Sequence, residues 1–283
     1  MSTQIDLTGK SILVTGATSG IGLETARALA RMGAVAVVGA REKSRGQAVV
    51  DGIRARGDRA ELLTVDMASF TSIKRAAAEL LERHPVLDVL VNNAGMASRR
   101  RELSPDGHEL TWATNFLGPF LLTRRLLPAL RAAAAPRVVN VSSVGHRSGR
   151  LVWDNLELEQ GFATFRAYAN SKLALNLFTR ELARREPSLA VNAVHPGGIA
   201  TNIWRSAPAA ARWLLERVLP SAEVGARPVI RLASAPELSR VSGRYFDKLR
   251  EAEPSAASQD DVAAAKLWEI AEEATASSAA IRL

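Results

Sequence analysis

Short apolar runs rich in β-branched residues recur at 11–15, 35–39, 61–65, 87–91, 137–141 and 189–194, and segments of ten or more residues with helical spacing separate them. Strands alternating with helices in this way are joined by right-handed βαβ crossovers, which gives a parallel sheet covered on both faces. After a predicted helix at 222–235, a seventh strand is expected near 243–246. No internal repeat or low-complexity linker interrupts the order. The whole chain, 1–283, is read as a single α/β domain: a doubly wound sheet of about seven mainly parallel strands with helices on both faces. Two stretches break the periodicity, 145–165 and 196–219. Both follow strands, and ligands of open parallel sheets sit beyond the carboxyl ends of strands, so these stretches are the expected walls of a substrate cleft. In the tail, about 254–276, residues 260–273 have the spacing of an amphipathic helix around Val262, Leu267, Trp268 and Ile270, expected to pack on the body of the domain.

Composition narrows the function classes. With 47 % hydrophobic residues the chain can fill a substantial core. It has no cysteine, hence no disulfide, thiolate ligand or thiol nucleophile, and a cytoplasmic location is expected. Residues 1–9 are polar, and no apolar run approaches the roughly 18 to 20 residues of a membrane span, so neither export nor a membrane anchor is expected. The net charge of +8 is spread along the chain. Arg99-Arg100-Arg101 is read as a solvated loop, and without a basic helix or aromatic stripe no nucleic-acid partner is expected. Excess positive charge does favour a polyanionic cofactor. His84, His108, His146 and His195 lack ligand spacing, so no metal site is expected.

Two local patterns carry chemistry. Thr15-Gly16-Ala17-Thr18-Ser19-Gly20-Ile21-Gly22 follows the first strand and opens the first helix, a Rossmann-type context in which backbone N–H groups and a helix N-terminus receive a pyrophosphate. Tyr168 and Lys172 stand four residues apart on one helix face. Such a lysine is more often a stem packed along a ring or a solvated charge, but a fixed cation beside a phenol also favours the phenolate and makes a general acid or base of it.

In the order and spacing of these pieces the chain resembles the short-chain dehydrogenase/reductase family. The shared motifs are the glycine turn with Gly16, Gly20 and Gly22, Asn92-Asn93-Ala94-Gly95 after the fourth strand, Asn115, Ser142-Ser143 after the fifth, Tyr168 with Lys172, and Pro196-Gly197 with Thr201. They span about 9–246. Within the family the chain resembles the retinol-dehydrogenase-like branch through Val138-Val139-Asn140-Val141-Ser142-Ser143, Phe178-Thr179-Arg180-Glu181-Leu182-Ala183, Ser242-Gly243-Arg244-Tyr245-Phe246 and Leu267-Trp268-Glu269. It lacks the N-terminal membrane segment of that branch's microsomal members, so a retinoid substrate is not implied.

The resemblance implies hydride transfer between nicotinamide and a carbonyl or alcohol, with Tyr168 as general acid or base, Ser143 orienting the substrate oxygen, and Asn115 holding a water that relays protons from Lys172. Strand alternation and the residues that follow favour Ser143 over Ser142. Lys172 is expected to lower the Tyr168 pKa by about two units, roughly 2.7 kcal/mol in favour of phenolate. Cofactor contacts are implied for Gly16, Thr18, Ser19, Gly20, Ile21, Gly22, Arg41, Asp66, Met67, Asn93, Ala94, Gly95, Tyr168, Lys172, Pro196, Gly197, Ile199 and Thr201. At the end of the second strand Ala40 stands where NAD-preferring members carry Asp, and Arg41 suits a 2′-phosphate; NADP(H) is therefore expected in preference to NAD(H), which remains possible. Phe162, Phe165, Trp153, Ile203, Trp204, Trp213 and Leu214 either line an apolar pocket for a small-to-medium lipophilic substrate or simply pack their segments. The resemblance also implies a homodimer or homotetramer paired through helices at about 107–130 and 166–185. The alternative is a nucleotide-binding sensor or scaffold without turnover.

Overall fold

The computed structural model describes residues 5–198 and 221–276. In chain order they form β1 (Ser11–Thr15), α1 (Gly20–Arg31), β2 (Val35–Ala40), α2 (Lys43–Arg54), β3 (Ala60–Thr64), α3 (Phe70–Arg83) and β4 (Val89–Asn92). A helical turn α4 (Leu110–Trp112), a π-helical stretch (Ala113–Leu117) and α5 (Gly118–Arg131) lead to β5 (Arg137–Val141). Next come α6 (Thr164–Arg185), β6 (Ala190–His195), α7 (Ala222–Ser234), β7 (Tyr245–Asp247), β8 (Arg250–Glu251) and α8 (Asp261–Ala276). The sheet order is β3-β2-β1-β4-β5-β6-β7-β8, parallel from β3 to β7, with β8 antiparallel to β7. This is the expected α/β Rossmann-type sheet, with one strand more than about seven. The extra strand is a two-residue return after Lys248, which takes the left-handed conformation at φ 55°.

The strands are apolar on both faces because helices cover both. Ile12 and Val14 pack with α1, α2 and α7, whereas Leu13 points into the opposite layer with α3, α5 and α6. Leu87 illustrates how pattern and pairing part company. Its side chain is fully buried, but its N–H donates to Ala129 O, so β4 begins two residues later. A buried polar chain ties the middle of the sheet to its helices: Asn92 donates to Asn140 Oδ1 (2.8 Å) and Thr123 Oγ1 (3.0 Å), and Asn140 donates to Thr179 Oγ1 (2.9 Å). Such a network ties β4 and β5 to α5 and α6, with Asn92 Oδ1 left as its one unpartnered atom.

Helix α8 lies across α5 and α6. Trp268 meets Phe120 edge-on at 5.0 Å and stacks with Phe178 at 5.9 Å, and the Arg185 guanidinium sits 4.5 Å over its ring. Arg180 pairs with Asp261 and Arg124 with Glu272 at the two ends of the helix. The buried stripe is Ala264, Leu267, Trp268, Ala271 and Thr275; Val262, grouped with it by sequence spacing, is 79 % exposed. The aromatic face of the helices expected to pair two subunits is thus covered within one chain.

Candidate active site

Moving outward from β1 the chain turns to β2 and β3 on one side and returns to β4 on the other, which opens a crevice beyond the ends of β1 and β4. There two turns are locked together. Gly16, at φ +65°, lies so close that a Cβ on it would stand 2.9 Å from Ala94 Cα, and a Cβ on Gly22 would stand 2.4 Å from Asn93 Nδ2. Asn93 Nδ2 donates to Thr15 O (2.8 Å) and Gly16 O (3.3 Å), and Thr15 Oγ1 accepts the N–H groups of Asn93 (3.0 Å) and Ala94 (3.1 Å). The chain therefore spends Asn93 and Thr15 on holding the glycine turn at the start of α1. A bare turn at a helix N-terminus is a cradle for a pyrophosphate, and these residues fit a dinucleotide.

At the end of β5, Ser142 is buried and Ser143 half-buried, as strand alternation requires. The Ser143 hydroxyl accepts the Gly145 N–H at 3.1 Å and stands beside the Tyr168 ring, both bordering Gly145. Lys172, one turn along α6 from Tyr168, is buried; its Nζ donates to Val141 O at 2.8 Å and lies 5.7 Å from the centre of the Tyr168 ring. Asn115 lies in the π-helical stretch just ahead of Pro119, the second residue of α5. Its side chain binds both Met96 N–H and Met96 O at 2.8 Å, and Ser171 Oγ at 3.0 Å. Asn115 Oδ1 and Lys172 Nζ both border Gly95. The sheet edge thus gathers Asn115, Ser143, Tyr168 and Lys172 beside the glycine turn.

The electrostatics differ from the sequence expectation. Burial pushes the Tyr168 phenol above its ordinary value, and the neighbouring Ser143 hydroxyl only partly offsets this. Lys172 does not bring it down, because its ammonium is aimed at Val141 O and is itself penalised by burial, its pKa being pushed down to about 8. In this state the site holds a neutral phenol next to a weakly held proton on lysine.

The other expected cofactor residues are placed as follows. Arg41 is exposed at the end of β2, with no ion-pair partner among the described residues; the neighbouring Glu42 faces Arg45 at 3.7 Å. The Asp66 carboxylate accepts the Ala68 N–H at 3.0 Å, which is the work of a turn residue, and Met67 is buried. Thr18, Ser19, Gly20 and Ile21 line the turn and first residues of α1, and Pro196 and Gly197 follow β6. Ile199 and Thr201 lie outside the described residues, as do Ile203, Trp204, Trp213 and Leu214. Of the apolar candidates, Trp153 packs on the core with Lys266 4.5 Å over its ring, Phe162 is half-buried, and Phe165 is 61 % exposed one turn before Tyr168.

Sequence reading missed Gly145. A Cβ there would approach Tyr168 Cε1 at 3.3 Å and Ser143 Oγ at 3.4 Å, so its bareness lets the phenol reach the hydroxyl. The available signal was a glycine two residues after the serine, the spacing at which a backbone N–H returns to a side-chain oxygen. Among the described residues no helix is long and apolar enough to cross a membrane, and no group of three or more His, Asp or Glu is arranged to hold a metal.

The switch-point crevice and the groups around it place the chain in the class of Rossmann-type oxidoreductases. It belongs to the short chain dehydrogenase family, whose model matches residues 10–212. It is 37 % identical over 276 residues to Retinol dehydrogenase 13 of Homo sapiens and 41 % identical over 274 residues to Polyprenol dehydrogenase of Mus musculus, each match covering 92 % of this chain and 82 % of the relative. These relatives set it in a retinol-dehydrogenase-like branch. Among solved structures it is similar to an uncharacterized protein from Mycobacterium Paratuberculosis, with a TM-score of 0.80 and 31 % identity over 97 % of this chain and 96 % of that one. It is also similar to a short chain dehydrogenase from Shigella flexneri 2a complexed with NADP, with a TM-score of 0.70 and 27 % identity over 87 % of this chain and 100 % of that one.

Proposed function

We propose that this chain transfers hydride between a nicotinamide nucleotide, NADP(H) in preference to NAD(H), and the carbonyl or alcohol carbon of a small-to-medium lipophilic substrate. The observation that carries the reading is the placing of the Ser143 hydroxyl and the Tyr168 ring side by side against Gly145 at the edge of a nucleotide crevice, with Lys172 buried behind them. A nicotinamide nucleotide, when bound, supplies or accepts the hydride. Tyr168 gives its proton to the carbonyl oxygen in reduction and takes one from the alcohol in oxidation, while Ser143 holds that oxygen by a hydrogen bond. Lys172 resupplies the proton. Asn115 fixes the Met96 backbone and Ser171 and, in this reading, holds the water that relays protons from Lys172.

Val144 (50 % exposed) and Phe165 (61 % exposed) flank the two hydroxyl groups in sequence and give their surroundings an apolar character. Relatives named for the dehydrogenation of retinol and of polyprenol point the same way. A homodimer or homotetramer would be built on surfaces other than the Phe120–Phe178 face, which α8 occupies.

The test is oxidation of NADPH, followed by its absorbance, with a panel of aldehydes, ketones and quinones of increasing chain length. Turnover that improves with apolar size supports the reading; nucleotide binding with no turnover on any carbonyl would favour the sensor alternative. The cofactor preference has its own check. Arg41→Asp is expected to lower kcat/KM for NADPH relative to NADH by about tenfold or more, because a carboxylate replaces the planar partner of a 2′-phosphate. An unchanged ratio would remove Arg41 from the site.

A further inference from the structure

His146 is fully buried in the 3-10 turn Val144–Ser148 and has no part in the chemistry above. Both of its ring nitrogens are committed. Nδ1 lies 2.6 Å from Ser143 O, and the Ser255 N–H points at Nε2 from 3.1 Å. A carbonyl only accepts and a backbone N–H only donates, so the ring is the neutral tautomer protonated on Nδ1. It also packs against Tyr245 at 4.8 Å. We propose that His146 is a positioning residue that holds the Ser143 hydroxyl against Tyr168 by anchoring the Ser143 carbonyl to the segment around Ser255.

The inference rests on the reading of Ser143 and Tyr168 as the acid–base pair. Ser143 presents two handles. Its hydroxyl meets Tyr168 and the Gly145 N–H, and its carbonyl takes both the His146 N–H (3.1 Å) and the His146 ring. The far end of the tether is itself fastened. Ser255 Oγ pairs with Ser258 Oγ at 2.9 Å, and Arg147 donates to Glu253 O at 2.6 Å. A second proton on His146 would set one N–H against another, so one of its two bonds would have to break.

The charged and titratable groups around the ring agree with a neutral state. Arg147 adjoins it on its own turn, His195 ends β6, Tyr245 and Asp247 come from β7 with Lys248 after it, and the α6 side of the turn carries Tyr168 and Lys172. Burial, with a smaller contribution from Arg147, holds the His146 pKa below 6.5. A depressed folded value means that its contribution to order is complete above 6.5 and is lost as pH falls through the folded value. An acid limb in the rate profile is the expected result. His195 shifts in the same direction, so the experiment must tell the two apart.

Ser255 offers a variant that unties the far end. Its φ of −66° is the value proline imposes, so Ser255→Pro deletes the N–H facing Nε2 and sets a ring carbon in its place, which releases the His146 ring from this segment, and Ser255→Ala controls for the lost hydroxyl. kcat and KM for NADPH and a carbonyl substrate are measured against pH for these variants and for His146→Leu, His146→Asn, His195→Asn, Ser143→Ala and Tyr168→Phe. With no donor opposing protonation, Ser255→Pro is expected to move the acid limb of kcat upward by about one pH unit. Ser255→Ala and His195→Asn are expected to leave the limb in place. His146→Leu should lower kcat about tenfold to a hundredfold with KM for NADPH within about twofold, and His146→Asn, which keeps a donor for Ser143 O, should recover most of it. The inference is overturned by an unmoved limb in Ser255→Pro, by a limb that follows His195, or by His146→Leu within twofold of the parent while Ser143→Ala and Tyr168→Phe are inactive. Near-normal turnover of Tyr168→Phe would instead overturn the acid–base reading, and this inference with it.

Discussion

Replacement of Tyr168 by phenylalanine is expected to lower kcat by about a thousandfold, within the range that loss of a positioned general acid or base produces, while nucleotide affinity stays within a few-fold. The fold should survive, because Ser143 keeps its Gly145 N–H and the ring keeps its place on α6. The same argument fixes a pH dependence. Burial raises the Tyr168 pKa, so the phenol is protonated through neutral pH and ready to donate. Carbonyl reduction should therefore vary little on the alkaline side of neutrality, whereas alcohol oxidation, which needs the phenolate, should climb with pH. Steady-state rates in both directions on the parent and Tyr168→Phe check this; a variant with near-parental turnover and an intact fold would remove the phenol from the chemistry.

Lys172→Met should move stability and activity in opposite directions. The ammonium is buried with one carbonyl partner, and its pKa falls from 10.5 to about 8. A lysine whose folded pKa is depressed burdens the fold in its charged form: the cost is complete below about 8 and is relieved as pH rises toward 10.5. The shift corresponds to roughly 3 kcal/mol, against which the variant forfeits a hydrogen bond to Val141 O worth about 1 kcal/mol. Lys172→Met is therefore expected to be more stable than the parent by about 2 kcal/mol at neutral pH, with the gain fading in alkali, and to lose about a hundredfold or more in kcat. Denaturant titration across pH, paired with rates, reads both. A variant less stable than the parent at neutral pH would show that the ammonium is no burden.

The fold was legible where residue type and tertiary role coincide. β1 and β5 run over the residues their apolar pattern marked, and β7 lies within a residue or two of its expected place. β8 gave no signal, since its turn passes through Lys248 in a conformation normally reserved for glycine or asparagine. The stripe of α8 was misread at Val262 because alanines carry much of the buried face and have little weight in an apolar pattern. At the site, alternation carried past the end of β5 anticipated the burial of Ser142 and the greater exposure of Ser143. The Tyr168 pKa was not, because spacing shows which residues share a face but not that Lys172 Nζ turns to Val141 O. His146 was equally hidden: its partners lie at Ser143 and Ser255, the second 109 positions along the chain.

The seal made by Trp268 has a bearing on biosynthesis. A nascent polypeptide completes α5 and α6 well before α8 leaves the ribosome, so for that interval Phe120 and Phe178 lack the ring that covers them. Ribosome-held intermediates ending near Leu249 should be sticky, and should depend on a holdase chaperone that the released full-length chain can do without.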